Sequence, residues 1–582
     1  MAPRVELPTG FFNYPSPTAH DIPYQQHAPP ANPVIRGLPL YYLSSIVAAL
    51  PFAQSFLWNN AGFNKLRSRA ELDHVEARYD PTVIPIPTPS HEPIASYTAE
   101  SSLRVPNGHF HAAFKAGRLT PIDVAESLLP LIRRDVEKRS PHSTAFVQSQ
   151  IELVKQAAEA STRRYRNGTP LGVLDGIPFA VKDETDVRGY KRHVGTKHDY
   201  TKSKDVETSW CVKKLEEQGA VMMGKLSMHE LGLDTTNNNP NWGTPLNPYN
   251  EKYYTGGSSG GAAYAVAQGI VPFAVGSDGG GSIRIPSNYC GIYGLKPSHG
   301  RVSIAPLHQT DISTVVQGPL AGNMVDLEVS YRVLAQPDPS HPSSRLFAPP
   351  RPLTTPRSKK LGIYKPWLDR ADPPVKQACQ EALNYLLKLG YEVVDITIPL
   401  VHEGQLAHAM TILNETLASQ PDVSDISSPN AVLLKVASQT PARDLLLAQR
   451  LRHLIMQHLA YLFQVHPGLI IVTPTTPNAG IPIGEGDLSY GVSDGNTAVR
   501  NMEYVWLANF TGVPCIQFPV GYVEPRQGKG KIPVGLSGNG EWGAEEELIA
   551  FGYDGERYLN EAFDGGRVRP EAWVDVLDNK SQ

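Results

Sequence analysis

Cysteine is scarce in this 582-residue chain: Cys211, Cys290, Cys379 and Cys515 are the only four, far apart and without CxxC or Cys/His ligand spacing. That excludes a disulfide framework and a structural zinc site, and it fits a reducing, cytoplasmic compartment. An excess of either charge is lacking too, since a formal net charge of −4 offers no field for nucleic acid or an anionic membrane. A small neutral partner suits it better. No basic segment followed by an apolar core lies near the start, where Met1 to Pro33 is rich in Pro, His and Tyr, so secretion is not indicated. Long uncharged runs are few. The one that needs an account is Gly37 to Asn64, long enough to cross a bilayer but interrupted by Pro39, Pro51, Ser44, Ser45 and Gln54. Helices packed against the protein or a subunit are the favoured reading of it, ahead of membrane-surface contact and of a true span.

What is present reads as a globular protein with a large core, 41% hydrophobic and 19% charged. Residues 1–95 form an N-terminal extension: an irregular arm, the apolar helical segment 37–64, and a proline-rich linker from Asp80 to Pro93. Residues 96–582 form the main domain with a C-terminal tail. Strands and helices alternate within it, with IPFAVK at 177–182, AVMMGK at 220–225, IVPFAVG at 270–276, KLGIYK, YEVVDITI and GLIIVTP predicted as strands. The expected class is α/β, a central mixed sheet covered by helices on both faces.

Chemistry concentrates between Tyr254 and Ser298, where Ser258 and Ser259 lie among Gly256, Gly257, Gly260 and Gly261, and Ser282 follows Gly279, Gly280 and Gly281. Glycines without Cβ atoms let backbone N–H groups approach another group, which suits a nucleophile whose neighbours stabilise the oxyanion it creates. A serine hydroxyl also needs a base. Lys182, ending an apolar strand, is the preferred candidate, because desolvation disfavours the charged amine and leaves a lone pair to accept a proton. Other matches are weaker. Ser259 formally fits a GxSxG elbow, but the KYYT before it is short and polar; Gly219 to Lys225 fits GxxxxGK, yet Leu226 stands where a Ser or Thr belongs. His453 with His458, and His109 with His111, read as ordinary polar positions rather than metal ligands.

Over roughly Leu103 to Gly555 the sequence resembles the amidase signature family of serine hydrolases. The likeness rests on LDGIPFAVKDETDVRG, GAVMMGKLSMHELGL, GGSSGGAAYAVAQGIVPFAVGSDGGGSIRIPSNYCGIYGLKPSHGRVS, VTPTTP and NFTGVPCIQFPVG. It implies the amidase-signature fold and a Ser-cisSer-Lys triad of Ser282, Ser258 and Lys182, with a cis peptide at Gly257–Ser258. It further implies an oxyanion hole from the N–H groups of Gly279, Gly280, Gly281 and Ser282, the serine opening a helix, and an acyl pocket at Met228, Leu231 and Thr235, with Tyr504 and Trp506 as an aromatic wall. The implied enzyme uses no metal and no cofactor, and cleaves small-molecule amides, with esters as further substrates. A homodimer is compatible with it. A glutamine-dependent amidotransferase A-type subunit, a carbamate hydrolase and a catalytically silent scaffold are the alternatives. The sequence departs from the pattern at Gly279, where Thr or Ile is expected, a change that points to a more flexible loop, and at Thr255 and Ser537.

Overall fold

The computed structural model describes residues 10–25, 32–86, 108–201, 206–307, 313–352, 358–419 and 425–576. An eleven-stranded sheet is its centre: β1 (Phe146–Gln148), β2 (Pro178–Lys182), β3 (Val221–Leu226), β4 (Phe273–Asp278), β5 (Tyr293–Lys296), β6 (Val316–Ala321), β7 (Lys360–Ile363), β8 (Glu392–Asp395), β9 (Leu469–Pro474), β10 (Cys515–Val523) and β11 (Ile532–Asn539). Across the sheet the order is β8-β7-β9-β11-β10-β5-β6-β4-β2-β3-β1. β2 runs parallel to β3 and β4, and β7 runs parallel to β8 and β9, while the strands between the two groups are antiparallel. Every residue of β2, β3, β4, β6 and β9 is buried. Successive side chains point to opposite faces of a strand, so both faces of this sheet are covered.

Seven helices matter below: α1 (Gly37–Ala49), α2 (Pro51–Asn60), α3 (Gly260–Ala267), α4 (Arg284–Tyr289), α5 (Val401–Ser419), α6 (Ser428–Ala437) and α7 (Ala442–Val465). Small residues explain the place of α3, whose sequence GGAAYAVA lets it lie wholly buried against β2, β4 and β6. It starts one residue after Ser259. The helix therefore holds the first glycine–serine cluster against the sheet.

Described residues of the N-terminal extension pack against the rest of the chain. Trp58, Leu66 and Leu72 join the main hydrophobic core, and the Tyr14 hydroxyl donates to Glu541 at 2.6 Å. Arg67 forks Asp444 at the start of α7 with bonds of 2.8 and 2.7 Å. Within the expected linker, Val83 is buried and Ile84–Pro85 pairs with Phe11–Phe12, while residues 87–93 lie outside the described residues. The apolar segment is two helices bent by 105° at Leu50. Pro51 causes the break, because its ring drives the preceding residue to an extended backbone, φ −115° and ψ 93°. Among the described residues no single helix is long and apolar enough to cross a membrane. α1 and α2 pack on α6 and turn Tyr41, Tyr42, Ile46, Phe52 and Phe56 outward.

Candidate active site

Parallel β2 and β4 end side by side, in the position where open α/β sheets form crevices. Lys182 is the last residue of β2 and is almost wholly buried. Its Nζ lies 2.9 Å from Ser258 Oγ, 2.7 Å from Ser277 Oγ and 3.7 Å from Glu184 Oε1. Two other lysines are just as buried, and their surroundings differ. Lys225 donates to the carbonyls of Asp183 and Thr185, and Lys296 donates to that of Pro297. Of these three, Lys182 alone meets hydroxyl groups at hydrogen-bond distance. The GxxxxGK match thus ends on a lysine folded into the interior beside Asp183, 3.6 Å from its carboxylate.

The two serine clusters are tied together. Ser259 N–H donates to Ser282 O at 3.2 Å, Ser258 O accepts from His229 N–H, and the Gly257–Ser258 peptide is cis. Ser258, Ser277 and Ser282 all line one narrow cleft. Exposure separates the candidate nucleophiles. Ser282 keeps 9% of its surface accessible, whereas Ser259 has none and spends its hydroxyl on Ser277 O at 3.1 Å.

Asp278 and Arg284 brace the loop that carries Ser282. Asp278 Oδ1 accepts the Gly281 N–H at 2.7 Å and Arg284 Nη2 at 2.9 Å; Oδ2 accepts the Ile283 N–H at 3.1 Å and Arg284 Nε at 3.0 Å. Burial alone would raise this carboxyl, but the Arg284 guanidinium beside it holds it well below the usual carboxylate range. At the start of α4 the Ile283 and Arg284 N–H groups donate to Asp278 Oδ2. Gly281 adopts φ +107°, and a Cβ there would lie 2.5 Å from Val505 Cγ2, so the turn excludes any side chain. Its N–H is directed at Asp278 and away from the role expected of it. Among the described residues, the N–H groups of Gly280 and Ser282 have no intramolecular acceptor.

Of the expected acyl-pocket residues, Leu231 lines the cleft, with φ +55°. Met228, Thr235, Tyr504 and Trp506 do not. The Thr235 hydroxyl accepts from Asn501, while the Tyr504 hydroxyl donates to the carbonyls of Trp367 and Leu368, and its ring packs on Trp367 beside Trp506. The aromatic wall is part of the core. The apolar lining comes instead from Val194, Leu233, Ile304, Leu307, Val315 and Ile412, and Glu184, Arg192 and Gln317 supply polar edges.

Sequence reasoning also missed two polar residues. Ser277 shares Lys182 with Ser258, and His408 of α5 is wholly buried with Nε2 2.7 Å from Gly279 O. Among the described residues no group of His, Cys, Asp and Glu side chains is arranged to hold a metal ion. All four cysteines are buried and free.

Comparison with known proteins identifies the family. A model of the family described as Amidase matches residues 128–549. A fatty acid amide hydrolase of Medicago truncatula is 34% identical over 484 residues, 80% of this chain and 77% of the relative. An indoleacetamide hydrolase of Pseudomonas savastanoi is 33% identical over 436 residues, 72% of this chain and 89% of the relative. Among solved structures, one described as a crystal structure of amidase superposes with a TM-score of 0.63 at 26% identity, covering 77% of this chain and 98% of that one. With the family match spanning well over half of its length, this chain belongs to the amidase signature family and is an amide-hydrolysing enzyme.

Proposed function

We propose that the protein is a serine hydrolase that cleaves the C–N bond of amides with an apolar acyl group, through an acyl-Ser282 intermediate. The observation that carries this reading is the buried Lys182 amine, 2.9 Å from Ser258 Oγ in the cleft that Ser282 also lines. Ser282 Oγ attacks the carbonyl carbon as its proton passes to Ser258 Oγ, which gives its own proton to the uncharged amine of Lys182. Ser277 Oγ, 2.7 Å from the same nitrogen, holds the lone pair toward Ser258. Glu184 Oε1 stabilises the ammonium that results, from 3.7 Å away. The N–H groups of Gly279, Gly280 and Ser282 receive the oxyanion, with Gly281 N–H serving Asp278. When the tetrahedral adduct collapses, the proton returns through Ser258 to the leaving nitrogen and the amine departs. Water then attacks the acyl-enzyme, the same relay takes its proton, and the acid leaves with Ser282 restored.

The lining supports the substrate class. Leu231, Leu233, Ile304, Leu307, Val315 and Ile412 reward an alkyl or aryl acyl chain, and the name of the Medicago relative agrees with such a chain. Each buried methylene contributes about 0.8 kcal/mol, so kcat/KM rises several-fold per added carbon until the cleft is full. Esters of the same acids react too. The test is hydrolysis of N-acyl amides of graded chain length by the purified protein. Ser282→Ala and Lys182→Ala each lower kcat by ~10³ or more, and near-full activity in either variant defeats the assignment.

A further inference from the structure

We propose that His408 is a positioning residue for amide hydrolysis: through its bond to Gly279 O it fixes the peptide plane that aims the Gly280 N–H at the oxyanion. The inference rests on the reading of Ser282 and its loop given above. His408 lies on α5, more than a hundred residues from the loop in sequence, and its ring is wholly buried. A carbonyl oxygen accepts only, so at 2.7 Å Nε2 carries the proton, and Nδ1, buried without a hydrogen-bond partner among the described residues, is left unprotonated in the neutral Nε2–H tautomer. Burial, aided by the Arg452 charge, pushes the imidazole down to about 4, which keeps that tautomer through the neutral range.

Peptide planarity converts this bond into orientation. In the trans Gly279–Gly280 peptide, C=O and N–H point in opposite directions, so turning the carbonyl toward α5 turns the Gly280 N–H away from it. The cleft is lined by Gly279 and Ser282, and His408 is sealed from it.

The next turn of α5 supplies the second half of the device. A Cβ on Gly279 would lie 2.6 Å from Val315 Cγ2 and 2.9 Å from Ile412 Cδ1, and Ile412 is one helical turn beyond His408. The space a Thr or Ile side chain needs at 279 is already filled from outside. On the other side, a Cβ on Gly280 would meet His408 Cε1 at 3.0 Å. Val315 and α5 thus pack on the loop where a side chain at 279 is missing. α5 grips it by its carbonyl and by the place of its missing side chain.

The experiment compares His408→Gln, whose side-chain amide N–H reaches the position of Nε2, with His408→Asn, which falls one bond short, and with His408→Phe, which fills the ring volume without a donor. Three quantities are measured: kcat and KM on an N-acyl amide, Ki of a trifluoromethyl ketone carrying the same acyl chain, and Ki of the carboxylic acid product. The expected result is a fall of kcat by ~10² in the Asn and Phe variants with KM within twofold, the size associated with loss of one oxyanion donor. Ketone affinity falls by the same factor, the acid Ki stays unchanged, and His408→Gln recovers most of both losses. If His408→Phe prevents folding, the Gln and Asn variants decide the question. Equal impairment of Gln and Asn, or unchanged kcat and ketone affinity in the Asn variant, overturns the proposal. Ser282→Ala assayed alongside keeps the two readings apart. Activity retained there removes the nucleophile assignment itself, whereas an inactive Ser282→Ala with unaffected His408 variants removes only the role of His408.

Discussion

The end of the β2–β4 pair and the α1–α2 face invert each other's chemistry. In the first, polar and charged groups (Lys182, Ser258, Ser277, Asp278, Arg284 and His408) are buried; in the second, Tyr41, Tyr42, Phe52 and Phe56 stand in solvent, each more than half exposed. Burying a polar group costs free energy unless each donor and acceptor is matched. The interior cluster meets most of that condition through specific bonds, while Arg284 Nη1 and His408 Nδ1 are buried without a hydrogen-bond partner among the described residues. The outer face has no such constraint, and its residues are held through the inner side of the helices, which packs on α6 and on residues 63–68 and 487–490.

That contrast is sharpest at the Asp278–Arg284 pair. Asp278→Asn keeps the shape but strands the buried Arg284 charge, so about 3–5 kcal/mol of stability is lost along with most of kcat, read by urea denaturation and by assay. A stable, active Asp278→Asn variant would show that the loop does not depend on this charge. Next in size is a pH effect at His408. Its folded value of about 4 lies below the ordinary 6.5, so the unfolded chain takes up a proton first, and stability present above pH 6.5 is lost as pH falls toward 4. His408→Gln removes that site. Between pH 7 and pH 5 it should lose less stability than the native protein, by on the order of 2 kcal/mol, and parallel pH curves would contradict burial of the neutral ring. The smallest effect is expected outside. Phe52→Ser with Phe56→Ser shifts stability by about 0.5 kcal/mol or less and leaves kcat/KM on a short-chain substrate unchanged. A loss above about 2 kcal/mol would mean that this face is covered in solution.

The same contrast explains what was legible in the sequence. Apolar, β-branched runs such as IPFAVK and GLIIVTP announce buried strands, and β2 and β9 lie there. The sequence does not announce β5, β6, β10 and β11, because Gly and Pro interrupt YGLK, VQGPLA, CIQFPVGYV and IPVGLSGN, and only distant partners make them strands. The serines and the lysine were readable through glycine spacing and resemblance. His408 was not: within QLAHAM it looks like a polar residue in an apolar helix, and its partner is a backbone carbonyl that no side-chain pattern reveals. Tyr504 and Trp506 misled for the opposite reason, since large aromatics suit a pocket wall and a core equally, and here packing on Trp367 took them. The outward turn of α1 was equally hidden, because GLPLYYLSSIVAA is apolar around most of its circumference and has no stripe to choose an inner face.

The central claim is that Ser282 is the nucleophile and Lys182 its base at one remove, and covalent labelling tests it most directly. Native protein treated with a fluorophosphonate and digested for mass spectrometry should carry one adduct, on Ser282, and Lys182→Ala should slow its formation by ~10² or more. An adduct on Ser258 or Ser259, or labelling at the native rate without the lysine, would contradict the account.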